Sequence, residues 1–130
     1  MSRRIVTADV CALVLDLSLI VLFAVLGRRE HAEGGGAAAT LRIALPFAAG
    51  WLVGGAAARL YRRPLHPAAA ARAWAVALPI GFALRSIGGR DLELSFMIVA
   101  LTVLAFLLLG WRVVWWTFRS RHRAARALQG

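Results

Sequence analysis

The stretch IVTADVCALVLDLSLIVLFAVL, residues 5–26, decides the fold. Nearly every side chain in it is apolar, and about 20 helical residues at 1.5 Å each cross the ~30 Å hydrocarbon core of a bilayer. Two acids interrupt it, Asp9 and Asp16. Their spacing of seven leaves them about 20° out of line on one helix face. Asp16 lies about 16 Å along the helix from Ile5, close to the bilayer midplane. An acid there costs on the order of 2.5–3.5 kcal/mol on the insertion scale, so it must face the bundle interior or a wet cavity.

Three further apolar stretches predict helices at 41–60, 67–87 and 94–118. Composition agrees: 61% of the 130 residues are apolar and 17% charged, against roughly 45–50% and 25% in a soluble domain. The fold class read from this is an all-α integral membrane protein, a compact bundle of four transmembrane helices. The bundle takes residues 1–118 and leaves 119–130 as a basic tail. Gly34-Gly35-Gly36 and Gly88-Gly89-Arg90-Asp91 are turn signals, with Asp91 expected to cap the fourth helix. Pro64 and Pro67 bracket the turn into the third.

All sixteen basic residues are arginine. With the N-terminus inside, eleven fall on the cytoplasmic side and five outside, which predicts both termini cytoplasmic. Tyr61, Trp74, Trp111, Trp115 and Trp116 gather at the same interface, and Trp51 is the exception, deep in the second helix. The first segment is not read as a cleaved signal peptide. Asp9 and Asp16 break its core, and no small-residue cleavage site follows.

Little chemistry is on offer. Without lysine there is no Schiff-base or P-loop lysine, and one cysteine, Cys11, excludes an internal disulfide. The histidines His31, His66 and His122 lie in separate loops or the tail, with no metal-ligand spacing. No nucleophile–base pair appears, so the expectation is a protein that is not an enzyme and has no cofactor and no metal.

What stands out is a set of intramembrane polar residues: Asp9, Asp16, Arg85 and Arg112. By depth, Asp9 is expected to meet Arg112 or Arg59, and Asp16 to meet Arg85 only if that arginine points inward. The pattern suits a proton or cation relay or a site for a cationic solute. It suits better a structural ion pair that fixes helix register. Gly50 and Gly54 form a G-x-x-x-G packing face, for contact inside the bundle or across a homodimer. Pro46 and Pro79 are expected to kink their helices. The tail arginines Arg119, Arg121, Arg123 and Arg126 should attract anionic lipid headgroups rather than nucleic acid, given Trp115 and Trp116 beside them.

Asp9 in the first helix, residues 23–31 at its exit and residues 46–51 in the second resemble the bacterial domain of unknown function 3054 family. Leu84-Arg85, residues 96–101 and Gly110-Trp111-Arg112 fit the same pattern, so the resemblance covers about residues 5–115; Asp16 is not part of it. It implies a small multi-spanning protein of the bacterial plasma membrane and supplies no catalytic residue. The function expected is binding or translocation of a small solute or ion, with Asp9 as the central polar residue. The alternative is a structural or accessory subunit of a membrane complex.

Overall fold

The computed structural model describes residues 3–30 and 36–129, with side chains from residue 7 to 28 in the first part. Four helices follow in order: α1 Arg3–Glu30, α2 Gly36–Ala57, α3 Pro67–Ile87 and α4 Leu94–Ala127, with a 3-10 turn at Leu60–Arg62 between α2 and α3. All four are long and apolar enough to cross a membrane. Arg29, His31 and Glu33, which the sequence places in the first connection, lie outside the described side chains.

α3 has its expected bounds. The others differ, for one physical reason. Hydropathy marks where hydrocarbon would end, whereas a helix ends where the backbone is turned or capped. Alanine and arginine are both good helix formers, so α4 continues through Arg119–Ala127 instead of ending at 118. The basic tail is thus the last part of one 34-residue helix, roughly 51 Å long at 1.5 Å per residue. α2 starts earlier, at Gly36, and stops at Ala57 because Arg59 takes a left-handed backbone, φ 55°. Asp91 does not cap α4. The cap position is Glu93, which makes no side-chain capping bond. Gly89, at φ 75°, supplies the turn before it.

α2 and α3 make the closest helix pair. A methyl group on Gly50 would run into the Ala77 carbonyl, and one on Gly54 would sit 2.5 Å from the Ala73 carbonyl oxygen. Gly81 of α3 receives the ring of Phe47 in the same way, at 2.7 Å. The small-residue face therefore packs inside the bundle, where the absence of side chains lets the two backbones come into van der Waals contact. Both helices run unbroken through Pro46 and Pro79.

The core has two distinct halves. In one, each helix contributes a phenylalanine. Phe47 lies edge-on to Phe23 and Phe82, at 5.8 and 5.6 Å between centroids, and Phe96 tilts against Phe23 and Phe47. In the other half the centre is polar.

Candidate functional site

The polar centre is built on Asp16, which is 1% exposed. Arg112 of α4, fully buried, meets it as a two-pronged fork. Its Nη1 donates to Oδ1 at 2.8 Å and its Nη2 to Oδ2 at 2.6 Å. Two indoles complete the shell. Trp111 Nε1 donates to Oδ1 at 3.1 Å and Trp51 Nε1 to Oδ2 at 3.2 Å. An ionised carboxylate offers about four acceptor positions, and here four are used.

Arg112 spends four of its five N–H donors. Its Nε donates to the Pro64 carbonyl at 2.7 Å, and its Nη1 also donates to the Leu108 carbonyl at 2.7 Å. Its guanidinium carbon lies 4.4 Å from the Trp111 ring centroid and 5.7 Å from that of Trp51, within cation–π range. One constellation thus ties α1, α2, α4 and the α2–α3 connection together. Removing a charge from water is costly, and a buried pair recovers that cost only when most remaining donors and acceptors are filled; here all four acceptor positions of the carboxylate and four of the five guanidinium N–H groups are used.

The connection is folded onto this centre. Leu60 is buried, and the Tyr61 hydroxyl donates to the Leu52 carbonyl at 3.1 Å across Gly55, where any Cβ would strike the phenol ring. Burial, and then the negative charge of Asp16, push the Tyr61 hydroxyl pKa up from its ordinary value.

The expected pairings are corrected by this geometry. Arg112 belongs to Asp16 rather than to Asp9. Arg85 is remote from both acids, at the opposite end of the bundle. There it lies 4.1 Å over the Phe96 ring and lines a cavity of about 620 Å³ with Arg90, Asp91 and Glu93. Asp9 lies beyond the sealed centre, half-buried on the wall of a second, open cavity of about 710 Å³. That wall also carries Arg62, Arg63 and His66 from the α2–α3 connection, and Trp115, Trp116, Arg119 and Arg123 from α4. Among the described residues no ion pair joins Asp9 to these arginines.

The tryptophans Trp51 and Trp111 are the site residues that the sequence reading did not pick out as partners. A signal existed for Trp51, the one indole placed away from an interface. A buried indole N–H needs an acceptor, and α1 offered a carboxylate at that depth.

An all-helical protein with four candidate membrane spans and a charge pair at its heart is the class this geometry defines. The chain belongs to the family described as Protein of unknown function (DUF3054), which matches residues 13–115. The match takes in Asp16, Trp51, Trp111 and Arg112 and begins after Asp9, although the resemblance had been carried partly on Asp9. Searches of curated proteins and of solved structures returned no match.

Proposed function

We propose that this is a non-enzymatic multi-pass protein of the bacterial plasma membrane, with both termini cytoplasmic, acting as a structural or accessory subunit of a membrane assembly. The observation that carries the reading is the saturated Asp16 carboxylate. Every acceptor position is filled by a guanidinium or an indole, and the group is 1% exposed. A relay acid needs a lone pair that can exchange a proton with water or solute; this one must first lose bonds to Arg112 or a tryptophan. The orientation is supported by the arginine asymmetry, and by the long basic end of α4, whose exposed residues 113–127 extend beyond what ~30 Å of hydrocarbon requires.

The test is a pair of experiments. Protein reconstituted in liposomes is expected to pass protons, sodium and potassium no faster than empty vesicles. Flux that Asp16→Asn or Asp9→Asn alters would return the translocation reading to first place. Purification from membranes in mild detergent is expected to retain a second membrane protein in fixed ratio, and recovery of the chain alone would count against the accessory role. A reporter fused after Gly130 is expected to read as cytoplasmic, and a periplasmic reading would overturn the orientation.

A further inference from the structure

We infer that the open cavity beside Asp9 binds a phosphate group, of the kind carried by an anionic phospholipid headgroup. Four arginines from two separate parts of the chain line it: Arg62 and Arg63 from the α2–α3 connection, Arg119 and Arg123 from α4. Among the described residues on this wall Asp9 is the one carboxylate, so their charges sum to net positive. Guanidinium forks match phosphate oxygens two at a time, which an isolated surface arginine cannot turn into a site but a convergent set can.

Two further features suit the same ligand. His66, on the wall, is the N-cap of α3 and makes no side-chain capping bond, which sets the positive end of that helix dipole beside the cavity. Trp115 and Trp116, also on the wall, are 49% and 57% exposed and give flat apolar surface next to the charges. That combination matches a ligand with a charged head and an apolar root, as at a membrane interface. The volume, about 710 Å³, is in the range of small-molecule sites.

Arg121 and Arg126 separate a built site from diffuse charge. They lie on the same stretch of α4 but are not among the residues lining the cavity. The proposal rests on the membrane reading only for the source of the phosphate. A periplasmic result from the reporter fusion would leave the binding result standing.

The experiment uses the full chain in nonionic detergent, titrated with short-chain phosphatidate, inorganic phosphate and short-chain phosphatidylcholine, and read by tryptophan fluorescence. Saturable binding of phosphatidate is expected. An arginine near a lipid surface is worth about fivefold in affinity, so Arg62→Gln with Arg119→Gln should weaken binding roughly 25-fold. Arg63→Gln with Arg123→Gln should do the same, while Arg121→Gln with Arg126→Gln should change it less than about twofold, as those side chains lie off the site. Tight phosphatidate with weak inorganic phosphate assigns the site to a lipid headgroup, and equal affinity for both assigns it to a soluble phosphate. Non-saturable binding, equal affinity for phosphatidylcholine, or equal weakening by the Arg121/Arg126 pair would overturn the proposal.

Discussion

The two halves of the bundle are held together by opposite means. One half uses a cluster of four phenylalanines, one per helix, in edge-on and tilted contact. The other uses a single carboxylate gripped by an arginine and two indoles. Ring contacts are mostly dispersion with a mild preference for edge-on geometry, and they lose strength gradually as shape changes. Charged hydrogen bonds in a dry interior are directional, and a lost partner leaves an exposed cost rather than a smaller gain. The aromatic half should therefore be graded in its response to substitution, and the polar half abrupt.

The largest effect is expected at Asp16. Asp16→Leu leaves the Arg112 guanidinium buried without a counter-charge, which typically costs about 3–5 kcal/mol. The check is thermal unfolding in detergent, and loss of a folded product would be the extreme form of the same result. Next comes Trp51→Phe, which keeps most of the volume and deletes one hydrogen bond to a charged group, about 1.5–3 kcal/mol. In the aromatic half, Phe47→Leu should cost less than roughly 1.5 kcal/mol, because the site is apolar and the exchange nearly conserves volume. A loss at Phe47 larger than at Trp51 would break the contrast. The smallest effect is expected for Asp9→Asn, within about 0.5 kcal/mol, since the carboxylate lines an open cavity with no ion pair to a described residue.

That last pair, Asp9 against Asp16, shows what the sequence could and could not carry. Helical spacing put both acids on one face, and they do share a face. Spacing says nothing about where along that face the bundle is closed. The α2–α3 connection folds back so that Pro64 reaches Arg112, and this seals the level of Asp16 while leaving Asp9 outside it. Depth matching by helix length could not anticipate that return of the chain, so it assigned Arg112 to the wrong acid and sent Arg85 toward Asp16.

The helices themselves were legible because a hydrocarbon-length apolar run has few alternatives. Their ends were not, because the charged residues of 119–127 leave the apolar pattern while remaining good helix formers. The packing role of Gly50 and Gly54 was legible as a motif, but its partner, the alanine and glycine face of α3, emerged only from the contacts. The basic cavity was illegible for the same reason. Its arginines come from stretches more than fifty residues apart, joined only by the fold.

The account stands on the claim that Asp16 and Arg112 act as one unit. A double-mutant cycle on thermal stability in detergent, with Asp16→Leu, Arg112→Met and the two combined, measures it directly. Each single change should be strongly destabilising, and the double variant should be more stable than either, because an apolar pair replaces a buried ion pair with little net loss. Additive losses in the double variant would contradict the account, since they would mean that neither charge depends on the other.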